Sequence, residues 1–202
     1  MTHFRTRIGI FGGAFDPPHL GHVALAQAAA DQLGLARLRV VPTGQAAHKQ
    51  RPLSPAIHRL AMCELAFAAV PQVVVDPRET LRPGPSYTVD TLEEMRREYP
   101  HAHLCLLIGQ DQAMALDHWH RAGALAQLAT IYVAARPESA ATPSPIAPSL
   151  VEKFALQWLP MPAMLHSATD IRHRAAHHQS IETLVSDPVA RYIATHHLYQ
   201  SP

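Results

Sequence analysis

Short, largely apolar runs alternate with amphipathic stretches along this chain. Arg7–Phe11, Leu38–Pro42, Val73–Val75, Leu104–Ile108 and Ile131–Ala134 are such runs, and Leu156–Leu159 is a weaker one. Several of these are short, continuous and apolar, which predicts strands buried on both faces, as in a parallel sheet. Between them, apolar residues recur at helical spacing over His22–Leu33, Ser54–Ala69, Thr88–Tyr99 and Arg121–Leu128. Ser54-Pro55 predicts a helix start, with a capping serine and proline at the first helical position. Gly34 and Pro100 predict helix ends. The alternation implies an α/β protein, an open parallel sheet with helices on both faces. Arg136–Pro148 is rich in Pro, Ser and Ala. It predicts a surface loop, reaching to about residue 150, and a short helical C-terminal tail over 167–202 follows. With no internal repeat and no second composition class, residues 1–202 read as one domain.

Composition narrows the picture a little. The 202 residues are 48% apolar and 16% charged, a globular composition and not a disordered one. A net charge of +1 offers no basic field for nucleic acid. Cys63 and Cys105 sit inside apolar runs, as reduced core thiols do. No run resembles a signal peptide or reaches membrane-spanning length, so a cytoplasmic protein without a membrane partner is expected. Nothing in the pattern specifies an oligomeric state.

Candidate chemistry concentrates after the first strand, where residues 8–22 read IGIFGGAFDPPHLGH. Gly12 and Gly13 let a backbone approach a bulky anion. A helix start offers unpaired N–H groups and a positive dipole end. His19 and His22, three residues apart, face one spot if the helix begins near His19. Solvent-facing histidines at a helix start are the plain alternative. Two zinc ligands are another, for which no third ligand stands at suitable spacing. The glycine pair is not a G-x-G-x-x-G dinucleotide fingerprint. In open parallel sheets, ligands bind beyond the carboxyl ends of the strands. That edge also receives Thr43, His48 and Lys49, then Gly109-Gln110-Asp111, and finally His166 to Arg172. Ser167-x-x-Asp170 reads as a capping box, and a capped helix start is also an anion site. Arg172 in its first turn would reach the same anion. Trp119 stands among Asp117, His118 and His120, a setting more polar than a core helix.

The chain resembles the bacterial nicotinate-nucleotide adenylyltransferases of the HxGH nucleotidyltransferase superfamily, nearly end to end. GGAFDPPHLGH is similar to their G-G-x-F-D-P-x-H-x-G-H, and PSYTVDTL (Pro85–Leu92) to their S-Y-T-x-x-T-L. IGQD (Ile108–Asp111) resembles their G-x-D loop, and HSATDIR (His166–Arg172) their I-S-x-T-x-I-R. The resemblance implies a Rossmann-like fold and transfer of AMP from ATP to nicotinate mononucleotide, giving deamido-NAD and pyrophosphate in NAD biosynthesis. It implies that His19, His22 and Arg172 act on the ATP phosphates. It places Gly12, Gly13, Phe15, Gly109, Asp111, Ser167 and Thr169 around ATP. His48, Lys49, Tyr87, Thr88 and Trp119 would hold the mononucleotide, Trp119 by stacking. Mg²⁺ is expected as the cofactor, bound mainly through the ATP phosphates, with no dedicated protein cage. The chain departs from the pattern at four places: Thr43 for asparagine, Ala46-Ala47 for two prolines, His120 for tyrosine and His166 for isoleucine. Transfer to another phosphate-bearing substrate, or ATP sensing without turnover, stay open at this stage.

Overall fold

The computed structural model describes residues 6–46, 52–135, 146–162 and 166–200. Its elements are β1 (Arg7–Gly13), α1 (Leu20–Gln32), β2 (Arg37–Pro42), β3 (Gln45–Ala46), α2 (Ala56–Phe67), β4 (Val73–Val75), α3 (Arg78–Leu81), β5 (Pro85–Ser86) and α4 (Thr88–Glu98). There follow β6 (His103–Gly109), α5 (Gln110–Met114), α6 (Ala122–Leu128), β7 (Thr130–Ala135), α7 (Pro148–Phe154), β8 (Gln157–Pro160), α8 (Ala168–Ala176) and α9 (Asp187–Thr195).

Six strands form a parallel sheet in the order β4-β2-β1-β6-β7-β8. The alternation of side chains along each strand explains why both faces are covered. Cys105 and Leu107 of β6 and Leu38 and Val40 of β2 face a core built with α1, α2, α8 and α9. Ile8 and Ile10 of β1, with Leu104, Leu106 and Ile108 of β6, face the opposite core, under α4, α6 and α7. Burying one such aliphatic side chain contributes about 1.5–3 kcal/mol, so the central strands anchor both layers. The chain leaves β1 towards β2 and β4, then returns to the far side of β1 as β6. At that reversal the loops after β1 and β6 diverge to opposite faces, and a crevice opens between the strand ends.

The predicted helices stand at small offsets. The first begins at Leu20, two residues early, because His19 takes the N-cap position in extended conformation. Gly34 ends it with φ +56°, the left-handed geometry that favours glycine. The second begins at Ala56, and Ser54 does not cap it. Its N–H donates to Asp16 Oδ2 at 3.2 Å and its carbonyl accepts from Arg59 Nε at 2.9 Å, so tertiary partners claim the residue. Of the expected loop, residues 136–145 lie outside the described residues. Pro148 starts α7 at its first position, so 148–150 are helical and not loop. The helical C-terminal part resolves into α8 and α9. Among the described residues no helix is long and apolar enough to cross a membrane.

An ion-pair web fixes the connection from β4 to α4. Asp76 takes Arg78 at 2.8 Å and Arg39 at 3.5 Å, and Glu98 takes both arginines, at 2.8 and 3.0 Å. The short ladder β3–β5 lies next to this connection. There, Gly44 N–H donates to Ser86 Oγ at 3.2 Å. A Cβ on Gly44 would fall 1.9 Å from the carbonyl oxygen of Glu79, a backbone atom that cannot swing aside. Gly44→Ala is expected to cost about 1–3 kcal/mol of overpacking and to lower Tm by about 3–10 °C. Gly12→Ala, with nothing within 4 Å of the added carbon, is expected to leave Tm unchanged. Thermal unfolding of the two variants checks the contrast.

Candidate active site

The β1–α1 turn is held from below by buried polar groups. Asp16 is 1% exposed. Its Oδ1 accepts from the Tyr199 hydroxyl at 2.8 Å and its Oδ2 from Ser54 N–H. Burial and this carboxylate keep the Tyr199 hydroxyl protonated, far above the usual phenol range. Arg59 is 2% exposed and donates to the carbonyls of Ser54 and Ala14, the latter at 3.0 Å. Phe15 adopts φ +46°. This turns its ring inward against Phe11, Phe67 and His22.

On that base sits the histidine pair. His19 N–H donates to His22 Nδ1 at 3.2 Å, with histidine in the place where a capping box carries Glu or Gln. Because Nδ1 accepts, the ring proton of neutral His22 sits on Nε2. The two rings stack with centroids 3.6 Å apart. Burial, and secondarily His166, push His19 down to about 4, so it is neutral at physiological pH.

A cavity of about 870 Å³ opens over this pair, towards the upper end of the range for ligand pockets. Gly12 and Gly109, at the ends of adjacent strands, line it with no side chain between backbone and open space. Gly13 is bare for another reason, since a Cβ there would press on the Phe15 ring at 3.0 Å. Asp111 lines the cavity from the first turn of α5. Tyr87, Thr88 and Trp119 line it too, Tyr87 and Thr88 at the start of α4. His120 lies over the Tyr87 ring at 4.2 Å, so the residue that departs from the pattern completes an aromatic wall.

The cavity therefore gathers His19, His22, Gly12, Gly13, Gly109, Asp111, Tyr87, Thr88 and Trp119. Phe15, expected beside ATP, contributes to its wall while its ring is 1% exposed, beneath His22. Ser167, Thr169 and Arg172 stand at the start of α8, next to His166 and Ala168 of the cavity wall. Ser167 caps α8 by accepting from Thr169 N–H, and Asp170 pairs with Arg174 at 2.9 Å in place of closing the capping box. Arg172 donates to the Asp16 carbonyl at 2.8 Å and to Thr169 Oγ1 at 3.0 Å, which ties α8 to the β1–α1 turn. His48 and Lys49 lie outside the described residues.

Sequence reasoning passed over Arg59, Tyr199 and Glu79, and read Ser54 only as a helix cap. Arg59 carried a readable signal: it occupies the buried stripe of α2 with Met62, Cys63, Ala66 and Phe67, where an arginine needs partners. Glu79 lines the cavity at 6% exposure, its carboxyl raised by burial, and accepts from Thr91 Oγ1 at 2.6 Å. Nothing in its neighbourhood along the chain marks it.

Comparison with known proteins places this architecture. The cytidylyltransferase-like family profile matches residues 10–174. A protein of Albidiferax ferrireducens named probable nicotinate-nucleotide adenylyltransferase is 56% identical, over 96% of this chain and 98% of its own length. One of the same name from Thermomicrobium roseum is 40% identical, over 97% of this chain and 92% of its own. Among solved structures, the Plasmodium falciparum nicotinic acid mononucleotide adenylyltransferase, complexed with APC or with NaAD, superposes with a TM-score of 0.80. That likeness covers 96% of this chain and 97% of the other at 17% identity, and is one of fold. By profile and by near full-length identity, the chain belongs to the cytidylyltransferase-like family and, within it, to the nicotinate-nucleotide adenylyltransferases.

Proposed function

We propose that the chain transfers AMP from ATP to nicotinate mononucleotide, giving nicotinate adenine dinucleotide (deamido-NAD) and pyrophosphate, a step of NAD biosynthesis. One observation supports this above others. A single cavity joins a histidine-bearing helix start and bare-glycine strand ends to an aromatic wall over the first turn of α4. The first set suits a polyphosphate and the second a flat, negatively charged ring. A cytoplasmic location belongs to the same reading.

The attacking group is a phosphate monoester with a second pKa of about 6, already a nucleophile at neutral pH. One of its oxygens bonds to the α-phosphorus of ATP. The bond from that phosphorus to the α–β bridging oxygen breaks, and the electron pair leaves with pyrophosphate. No general base is needed, so the protein's work is alignment and neutralisation of charge. His22 and His19 donate to the phosphates, and the backbone at Gly12 and Gly13 admits them. Ser167, Thr169 and Arg172 take the β- and γ-phosphates at the start of α8, with Arg172 turning from the Asp16 carbonyl towards the anion. Gly109 leaves room for adenosine, and Asp111 accepts from the ribose hydroxyls. Phe15 supports the His22 ring from beneath the nucleotide. His48 and Lys49 approach the mononucleotide phosphate. Trp119 stacks on the nicotinate ring with Tyr87 beside it, and amides near Thr88 receive its carboxylate. A carboxylate gains more than an amide from such donors, hence a preference for the acid.

The groups assigned to the phosphates are hydrogen-bond donors. Among the described residues no three His, Cys, Asp or Glu gather as metal ligands. This donor set fits phosphate oxygens, and Mg²⁺ fits as an ion carried by the ATP phosphates and water. Bound there, the ion neutralises charge on the phosphoryl oxygens.

The reaction is tested by pyrophosphate release from ATP with nicotinate mononucleotide, nicotinamide mononucleotide or phosphopantetheine. Strong release is expected with the first. Release with another substrate alone would overturn the assignment of the aromatic wall, and silence with all three would leave a nucleotide-binding module. His22→Ala is expected to lower kcat by about 100-fold or more with Tm little changed; near-normal turnover would remove His22 from the mechanism. Trp119→Ala is expected to raise KM for the mononucleotide by about tenfold, from a stacking contribution of roughly 1–3 kcal/mol, with a smaller change for ATP. Equal effects on both substrates would place the indole in the core instead.

A further inference from the structure

His166 has no part in the roles assigned above, and it departs from the motif that its segment resembles, which opens on isoleucine. It immediately precedes Ser167, the N-cap of α8, and lines the cavity. Its ring lies 6.1 Å from the His19 ring and only 19° from parallel to it. His19 in turn stacks on His22. Three imidazoles from two distant segments therefore form one row along the cavity wall, two from the start of α1 and one from the residue ahead of α8.

The polar atoms of this row are unusual. Nδ1 of His166 is buried and has no hydrogen-bond partner among the described residues. An orphaned ring nitrogen carries a desolvation cost, which an isoleucine at 166 would avoid. With Nδ1 sunk in the wall of a residue that lines the cavity, Nε2 is the atom left to meet a ligand. An N–H at Nε2 of the imidazole is a hydrogen-bond donor suited to an acceptor-only ligand. Beside it stand Ser167 and Thr169, whose hydroxyls lie at the start of α8. Each hydroxyl accepts one hydrogen bond within α8, from Thr169 N–H and from Arg172, and keeps its own O–H to donate to a phosphate.

We propose that His166 is a phosphate-binding residue of this chain, donating with His19 to the polyphosphate end of ATP, a role that rests on the nucleotidyl transfer assigned above. The histidine row thus runs from the α-phosphate at His22 towards the departing pyrophosphate at His166.

The test compares wild type with His166→Ile and His166→Gln, whose side-chain amide can place an N–H near the position of Nε2. KM values for ATP and nicotinate mononucleotide are measured with kcat, Tm and calorimetric binding of inorganic tripolyphosphate. For His166→Ile, KM for ATP and Kd for tripolyphosphate are expected to rise by about tenfold, the worth of one hydrogen bond to a charged acceptor. KM for the mononucleotide should stay within twofold, Tm should not fall, and His166→Gln should recover most of the loss. Unchanged ATP and tripolyphosphate binding in His166→Ile would overturn the proposal. So would a joint rise of both KM values with a fall in Tm that glutamine fails to correct, which is the mark of a packing residue. If wild type released no pyrophosphate while tripolyphosphate binding still weakened in His166→Ile, the reaction assignment would fail and the anion-binding role of His166 would stand.

Discussion

A buried carboxylate is tolerable only where donors surround it, and Asp16 obtains its donors from the far reaches of the chain. Ser54 reaches it from the start of α2 and Tyr199 from the C-terminal end, while Arg172 of α8 grips its carbonyl. Arg59, itself almost fully buried, secures the neighbouring Ala14 carbonyl and Ser54. Removing one partner would strand a polar group away from water, so these contacts stand or fall together. They join the β1–α1 turn to α2, α8 and the terminal segment. The backbone that offers Gly12, Gly13 and His19 to the cavity is therefore set by the packing of the whole upper core.

This arrangement suits a reaction whose nucleophile needs no activation. The geometry supplies fixed donors, and the fold makes them fixed in three ways. Parallel strands end side by side in bare glycines, Gly12 and Gly109. The start of α1 is capped by its own histidines. Phe15 lies edge-on beneath His22 and limits the tilt of that ring. Burial keeps His19 neutral, so the site meets its anion with oriented N–H groups and a helix dipole, and not with a pool of mobile charge. At the opposite wall, the ion-pair web around Asp76 fixes the segment leading to α4, and so the first turn that would meet the second substrate.

Much of this was legible before any coordinates. The apolar runs of β1, β6 and β7 read as strands covered on both faces, because side chains alternate and the alternates in the middle of each run are apolar. Their order in the chain, with helices between, dictated a parallel sheet whose carboxyl edge collects the loops. GGAFDPPHLGH announced a phosphate site because its glycines and histidines sit where backbone and helix start must meet an anion. Boundaries shifted where tertiary partners competed with local signals. Ser54 looked like a cap for α2, and its N–H and carbonyl serve Asp16 and Arg59 instead. Asp170 looked like the second half of a capping box, and Arg174 one turn on takes it.

By itself, then, the amino-acid order determined the class of the fold, the edge on which chemistry occurs and the phosphate-binding motifs, because all three follow from local periodicity and short spacings. Tertiary structure alone decided which distant residues complete the site. The Asp16 network spans 183 residues from Asp16 to Tyr199. His166 joins the row of His19 only because Arg172 ties α8 to the β1–α1 turn. Glu79 reaches the cavity through a connection that carries no motif. Such pairings depend on where the sheet brings chain segments that are remote in sequence, and no local pattern encodes that distance.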